Sequence, residues 1–307
     1  MLIAYFKLIR WPNLLIIGLI FFLAKTQLVD AFSALSGIQS CLLDFHWITL
    51  SLATIFVAAS GNVINDIFDQ DIDYHNKPEK VIVGKLVSEA NAWNLYYALG
   101  SIGLALGMLL CWQLGNVSNS LIFMLSAGGL YFYSHSYKRQ LLIGNVVVAL
   151  LAGLVPFLPL YVEMMCNPDT WMSLPWTGYL MAFSVFSFLT TFIREMVKDM
   201  EDIKGDTLMH CNTIPIVLGM NGAKAVASAL LLLLIGIVAW LQMAWLRDNQ
   251  YLLLGYFFVA VQAPAIFALV QLFRGKSSKD FHRASALLKL LMLGGILSMI
   301  VFRIVVR

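Results

Sequence analysis

The chain has 307 residues, of which 60% are hydrophobic and only 12% are charged, and its mean hydropathy is +0.82. Because soluble domains carry about 25% charged residues, this chain cannot cover a water-exposed surface with polar groups. Its net charge of +3 is too small to indicate a nucleic-acid-binding protein. We therefore interpret residues 1–307 as one domain of an integral membrane protein. As a separate expectation, we assign it to a bacterial or archaeal cell membrane.

Nine stretches of the chain approach the length of about 20 mostly apolar residues that a helix needs to cross a bilayer. In chain order they cover residues 12–29, 46–65, 91–113, 118–134, 141–162, 175–193, 223–246, 251–273 and 286–305. The fourth and the sixth are short. The pattern predicts an all-α polytopic bundle of about nine transmembrane helices.

The basic residues between these helices predict how the chain is oriented. If the N-terminus is cytoplasmic, all lysines and arginines fall in cytoplasmic segments except Lys25, Arg247, Arg303 and Arg307. Such a bias is typical of the cytoplasmic loops of membrane proteins. We therefore predict a cytoplasmic N-terminus and an external C-terminus. The two longer and most charged loops, 67–89 and 194–222, then lie on the cytoplasmic face, and we expect the active site there.

The four cysteines are far apart in the sequence and form no CxxC pair. This spacing excludes a clustered zinc or iron–sulfur site and gives little indication of disulfide bonds. We expect isolated thiols in apolar helices at Cys41, Cys111, Cys166 and Cys211.

Two acidic clusters repeat one spacing at an offset of 133 residues. In each, three aspartates stand at i, i+3 and i+7, which places their carboxylates on one face of a helix. Three such carboxylates repel one another and are costly to bury near a membrane helix end. A cation would neutralise them, and hard oxygen ligands suit Mg²⁺ or Ca²⁺. We predict that these metal ligands are Asp66, Asp69 and Asp73 in the first cluster and Asp199, Asp202 and Asp206 in the second.

The alternative interpretation is that both clusters are ordinary acidic loops at membrane helix ends. Identical three-point spacing on the same predicted side of the membrane favours the metal site. Neither cluster has the pattern of a calcium-binding loop, so Mg²⁺ is the predicted cofactor. We predict that four of the aspartates also serve catalysis, namely Asp69, Asp73, Asp202 and Asp206.

Polar and basic residues near the two clusters are suited to bind a diphosphate. Arginine binds phosphate through two parallel hydrogen bonds, and lysine acts as a point charge. The alternative role of each basic residue is to set membrane topology. The predicted diphosphate-binding residues are Asn62, Asn65, Lys77, Lys138, Arg139, Arg194 and Lys198.

Several motifs resemble those of the UbiA superfamily of membrane prenyltransferases. The first acidic cluster fits NDxxDxxxD from Asn65, and the second fits KDxxDxxGDxxxxxxTxPxxxG from Lys198 to Gly219. The stretch at 10–13, RWPN, resembles the RPxN entry to helix one. A YSxxxKR…GN element is present at 133–145. The resemblance covers about residues 7–220 in the expected order.

The resemblance implies a bundle of nine helices around a central cavity that lies near the cytoplasmic surface and opens to lipid. It also implies that Mg²⁺ bridges the Asp motifs and a prenyl diphosphate, which ionises to an allylic cation. One stretch departs from the pattern: where related branches read NRPxRPIPSG, this chain has lysines at Lys77 and Lys80 and lacks two prolines. Charge is retained there, but the bidentate geometry of arginine is lost.

The run from Arg194 to Asp206 most resembles the branch that geranylgeranylates geranylgeranylglyceryl phosphate. The predicted function is therefore Mg²⁺-dependent transfer of a geranylgeranyl group from its diphosphate to such a lipid acceptor. An aromatic acceptor of quinone biosynthesis is the alternative. We expect prenyl diphosphate, acceptor and membrane lipid as partners, with no nucleic acid and no obligate protein partner.

A transporter that uses membrane carboxylates as a cation site is the alternative from a different functional class. Such carriers often contain inverted repeats. The offset of 133 residues spans four predicted helices, an even number, so both acidic clusters lie on the same side of the membrane. This arrangement favours an enzyme.

Overall fold

The computed structural model describes residues 2–70 and 81–306, and within them the chain is helical with no β-strand. Nine long helices follow one another along these residues. They are α1 (Trp11–Ser36), α2 (Asp44–Phe68), α3 (Glu89–Gln113), α4 (Leu121–His135), α5 (Ile143–Cys166), α6 (Thr177–Glu201), α7 (Gly219–Arg247), α8 (Tyr251–Arg274) and α9 (Ser278–Val306). The predicted all-α fold class is confirmed.

Eight of these helices are long and apolar enough to cross a membrane, as far as the described residues show. The other is α4, which has only 15 residues and follows a 3₁₀ turn at Val117–Ser120. The protein is therefore an integral membrane protein with at least eight helices of spanning length. The count of nine crossings stays a prediction.

Helix α6 joins two halves of the hydrophobic core. Its first half packs through Leu180 into a cluster formed with α1, α2, α3 and α5. Its second half packs through Ile193 and Met196 into a cluster formed with α7, α8 and α9. Large apolar side chains such as Trp240 also cover the outside of the molecule, as expected for a surface that faces lipid. The helix that carries the second acidic motif is thus held from both sides.

Contacts at one end of the bundle join segments that are far apart in the sequence. Arg303, near the end of α9, donates a hydrogen bond of 2.9 Å from Nη1 to the carbonyl oxygen of Thr26 in α1. Cys41, just before α2, forms a disulfide with Cys166 at the end of α5. The prediction of isolated thiols is wrong for this pair, because folding brings together two segments separated by 125 residues. It is correct for Cys111, which is free and buried in α3, whereas Cys211 is a free, buried thiol that lies outside any helix.

Candidate functional site

A cavity of about 390 Å³ lies where the ends of α2, α4 and α6 meet the start of α5. Both acidic motifs contribute carboxylates to its wall, and basic side chains lie among them. The charged lining residues are Arg10, Asp69, Lys138, Arg139, Arg194, Glu195, Lys198, Asp199, Asp202 and Asp206. Four asparagines also line it, namely Asn13, Asn62, Asn65 and Asn145. One aspartate of the first motif and three of the second are therefore brought together at one cavity.

In the first motif, Asp69 is only 3% exposed and is held by two donors. Its Oδ2 accepts a hydrogen bond of 2.7 Å from the Asn65 amide and one of 2.5 Å from Lys138 Nζ. Asn62 instead donates from Nδ2 to the carbonyl oxygen of Ile9, at 2.9 Å. Asn65 thus orients a carboxylate, and Asn62 fixes the turn before α1. Both line the cavity, and their predicted contact with the diphosphate stays a prediction.

Asp66 is paired with an arginine that the sequence did not assign to the site. Arg10 Nη2 lies 2.7 Å from Asp66 Oδ1. Arg10 adopts a left-handed conformation (φ 52°) directly before α1, and Pro12 stands in the first turn of that helix. Asp66 is not among the described residues that line the cavity. The RWPN stretch at 10–13 is the signal in the sequence that points to this arginine.

In the second motif, Asp199 lies near the end of α6, and its Oδ2 accepts a hydrogen bond of 2.8 Å from Asn145. Asp202 follows the helix directly, and Asp206 sits on a short helix, Ile203–Leu208. Burial and the neighbouring charge of Asp202 raise the pKa of Asp206 to about 6. Burial and a nearby like charge both disfavour the ionised carboxylate, and a bound cation would offset both effects. The second motif is therefore suited to bind a cation.

The segment between α4 and α5 approaches both motifs because of a glycine. A Cβ atom at Gly144 would lie 2.7 Å from the carbonyl oxygen of Tyr137 and 2.9 Å from the Cα of Lys138. Only glycine at position 144 permits this approach, which brings Lys138 to Asp69. It also places Asn145, the residue after Gly144, against Asp199. The backbone N–H of Asn212 donates to the carbonyl oxygen of Arg139 at 2.8 Å.

Two predicted diphosphate-binding residues share a carboxylate that the sequence analysis missed. Glu195 is buried and accepts hydrogen bonds from Arg194 Nη1 at 2.9 Å and from Lys198 Nζ at 2.8 Å. Its position one turn before Asp199 was the available signal, because it continues the polar face of α6. Glu195 holds the side chains of Arg194 and Lys198 at the cavity wall.

The remaining predicted site residues lie outside the described residues. They are Asp73, assigned to metal binding and catalysis, and Lys77, assigned to the diphosphate.

The donor set suits an ion that shares its coordination sphere with a substrate. Within residues 2–70 and 81–306, no three carboxylate, imidazole or thiol groups are clustered closely enough to hold a metal by themselves. Mg²⁺ binds through one or two carboxylates and keeps its other positions for water and substrate phosphates. Hard carboxylate oxygens on opposite sides of one cavity fit Mg²⁺ in this mode.

Comparisons with known proteins agree on the family. The sequence pattern of the UbiA prenyltransferase family matches residues 28–293. The chain is 33% identical to the digeranylgeranylglyceryl phosphate synthase of Saccharolobus solfataricus, over 66% of this chain and 70% of that one. It is 29% identical to the Thermococcus kodakarensis protein of the same name, over 93% and 92%.

Solved structures share the fold. A structure of digeranylgeranylglyceryl phosphate synthase superposes with a TM-score of 0.63 at 24% identity, covering 97% of this chain and 98% of that chain. A UbiA homologue from Archaeoglobus fulgidus bound to DMAPP and Mg²⁺ gives 0.56 at 16% identity, covering 97% and 99%. The family match extends over most of the chain and includes both motifs that line the cavity. This membrane protein therefore belongs to the UbiA prenyltransferase family and is a prenyltransferase.

Proposed function

We propose that this prenyltransferase moves a geranylgeranyl group from its diphosphate to a lipid acceptor of the geranylgeranylglyceryl phosphate type. The observation that carries the proposal is that two acidic motifs and several basic side chains lie around one cavity. A diphosphate needs such a mixed environment, because its metal ions bind carboxylates while its free oxygens bind basic side chains.

The acidic and the basic side chains have different roles in binding the diphosphate. Asp69, Asp199, Asp202 and Asp206, together with Asp66 and Asp73, would hold Mg²⁺, which supplies positive charge against the developing charge of the leaving group. Lys138, Arg139 and Lys198 line the same cavity. They donate hydrogen bonds to diphosphate oxygens and so orient the leaving group.

The reaction breaks the bond between C1 of the prenyl group and the diphosphate oxygen, which departs with the electron pair. The acceptor hydroxyl oxygen then bonds to C1, and its proton passes to the released diphosphate. The allylic cation formed in between reacts with any water that reaches it. Leu130 and Val148 line the cavity beside the charged residues and help to exclude water from it.

The choice of a lipid acceptor draws on the relatives. The similar proteins of Saccharolobus solfataricus and Thermococcus kodakarensis are both named digeranylgeranylglyceryl phosphate synthase. That name gives the product, a glyceryl phosphate lipid, so the acceptor would be an anionic glyceryl phosphate lipid with a free hydroxyl, which suits a cavity rich in basic groups.

The test is an assay of the purified protein with labelled geranylgeranyl diphosphate, Mg²⁺ and a panel of acceptors. We expect an ether product with geranylgeranylglyceryl phosphate and none with aromatic acids. Asp202→Asn should abolish it, whereas Glu201→Gln, one residue earlier, should retain it because Glu201 is not among the described residues that line the cavity. A product formed only from an aromatic acid contradicts the proposal.

We also propose that the cavity faces the cytoplasm, with the N-terminus on that side and the C-terminus outside. Arg10, just before α1, contacts Asp66 at the cavity end. Arg303, near the end of α9, contacts Thr26 farther along α1. Both contacts support termini at opposite ends of the bundle, and the distribution of lysine and arginine favours a cytoplasmic N-terminus.

A further inference from the structure

Helix α6 carries a row of polar side chains along the cavity, and Thr191 is the innermost of them. Thr191, Arg194, Glu195, Lys198 and Asp199 all line the cavity and fall on one helical face. At 1.5 Å per residue, Thr191 lies about 12 Å farther into the bundle than Asp199. The row therefore extends well past the carboxylates assigned to the metal.

The Thr191 hydroxyl is buried and has no hydrogen-bond partner among the described residues. A threonine within a helix often bonds the carbonyl oxygen of the preceding turn. Thr190 does so, donating from Oγ1 to the carbonyl oxygen of Phe186 at 2.8 Å. Thr191 is only 5% exposed, yet its Oγ1 makes no hydrogen bond within the described parts of the chain. Buried hydroxyls without partners are unfavourable, so this one is suited to a ligand.

Arg194 presents a second such group one turn away. Its Nη1 donates to Glu195 Oε1, but its Nε is buried and finds no acceptor among residues 2–70 and 81–306. Because Thr191 and Arg194 are three residues apart on α6, they lie side by side on the cavity wall. One offers a hydroxyl and the other a charged N–H donor.

These two groups match the chemistry of the second substrate rather than the first. The prenyl diphosphate occupies the level of the metal-binding carboxylates, and its prenyl tail has no polar atoms to meet Thr191. A glyceryl phosphate lipid has both a free hydroxyl and an anionic phosphate.

We infer that Thr191 and Arg194 form the subsite for the acceptor head group. Arg194 Nε donates to the acceptor phosphate, and the Thr191 hydroxyl donates a hydrogen bond to the acceptor hydroxyl oxygen, whose own proton is left for the diphosphate. The inference rests on the proposed function and moves Arg194 from the diphosphate, its predicted ligand, to the acceptor.

The test compares two adjacent isosteric substitutions by steady-state kinetics with each substrate varied in turn. Thr191→Val should raise the KM for geranylgeranylglyceryl phosphate about fivefold, as expected for the loss of one hydrogen bond, and leave the KM for prenyl diphosphate unchanged. Thr190→Val is the matched control and should change neither KM, since its hydroxyl bonds the helix backbone. Thr191→Ser, which keeps the hydroxyl, should restore the wild-type value.

Arg194→Lys tests the second group, because it keeps a positive charge and removes the Nε donor. We expect the acceptor KM to rise about tenfold. A rise confined to the prenyl diphosphate KM in Thr191→Val and Arg194→Lys overturns the subsite. Equal effects of Thr190→Val and Thr191→Val also overturn it, because they indicate a packing role. If Thr191→Val does not fold, the acceptor KM values of Arg194→Lys and Thr191→Ser still test the subsite.

The failure of the proposed function has a different signature. Wild-type protein would then yield no product with geranylgeranylglyceryl phosphate but would react with another acceptor. The KM for that acceptor still tests the subsite, because Arg194 would bind its anionic group. A subsite failure leaves the wild-type lipid reaction intact and the variants unaltered in acceptor KM.

Discussion

Asp66 and Asp199 occupy equivalent positions in the two acidic motifs, but their neighbours differ in charge. Asp66 is paired with the guanidinium of Arg10 at 2.7 Å. Asp199 accepts its hydrogen bond from Asn145, which is neutral. A bound metal would have to compete with Arg10 for the first carboxylate, whereas Asn145 is not a competing cation at the second. We therefore expect the two motifs to be unequal as metal ligands despite their identical spacing.

This difference predicts how two matched substitutions change the metal requirement. Asp199→Asn should raise the Mg²⁺ concentration for half-maximal activity by at least about 10- to 100-fold, the range seen when only an outer-shell partner of a metal ligand is removed. Asp66→Asn should raise it less, because its carboxylate is already paired. Mg²⁺ titrations at saturating prenyl diphosphate measure both. A larger effect of Asp66→Asn contradicts the assignment.

The sequence indicated the two acidic motifs but not the side chains that pair with their carboxylates. Asp66, Asp69, Asp199, Asp202 and Asp206 are close in sequence within each motif, so spacing reveals them. Arg10 and Asn145 are separated from their carboxylates by 56 and 54 residues. No local pattern identifies such a pair, since the packing of whole helices decides it.

The start of α5 is positioned by its close approach to the turn before it. Gly144→Ala would place a methyl group 2.7 Å from the carbonyl oxygen of Tyr137. We expect overpacking to destabilise the protein by about 1–3 kcal/mol and to lower activity by displacing Lys138. Gly128→Ala is the control, because a Cβ atom there meets nothing within 4 Å.

Thermal unfolding in detergent and prenyl transfer together measure the effect of these substitutions. Gly128→Ala should behave as wild type in both. Equal stability and activity of the Gly144 and Gly128 variants would show that the close approach does not position the site.

Helix α4 has 15 residues, yet its contacts favour a crossing of the membrane. Both α2 and α4 end at the cavity, because Lys138 reaches Asp69. The segment before α3 lies near Gln70, which is close enough to contact a Cβ placed at Gly84, so α3 starts at the same end. The chain must therefore return through α4. With the 3₁₀ turn before it, α4 spans about 30 Å, the thickness of the hydrocarbon core.

Topology reporters test this crossing. A reporter inserted after Gly115, before α4, should lie on the opposite side of the membrane from one inserted after Gln140, beyond it. The result then gives nine crossings in total. Reporters on the same side would mean that α4 does not cross and that the charge-based orientation of α1–α3 or of α5–α9 is wrong.

Hydropathy predicted where the helices lie better than where they end. The sixth predicted stretch stops at residue 193, but α6 continues to Glu201. The missing turns carry Arg194, Glu195 and Lys198, whose charges pair with one another inside the bundle. A hydropathy average falls where polar residues begin. The helix continues beyond that point because its charged side chains pair with one another.

At the scale of the whole molecule, metal removal should separate activity from folding. Chelation of divalent ions should abolish prenyl transfer, and added Mg²⁺ should restore it. Helix content should not change, because the two apolar core clusters on either side of α6 contain no metal ligand among their described members. Circular dichroism and diphosphate release measure the two quantities. Turnover that persists in excess chelator contradicts the metal site.

The fold class and the single-sided placement of the two motifs could be predicted, because composition and repeat spacing determine them. The disulfide between Cys41 and Cys166 could not be predicted. Apolar patterns place both cysteines near helix ends but do not say which ends are neighbours.

The Cys41–Cys166 disulfide also indicates which compartment each end of the molecule faces. Cys41 precedes α2, which ends at the cavity, and Cys166 ends α5, which begins there, so the disulfide lies at the opposite end. Disulfides persist in oxidising compartments and are reduced in the cytosol. Redox chemistry thus favours an external position for the disulfide, independently of the distribution of lysine and arginine. A membrane-impermeant reductant added to intact cells should cleave it, leaving the thiol of Cys211 beside the cavity inaccessible to impermeant reagents.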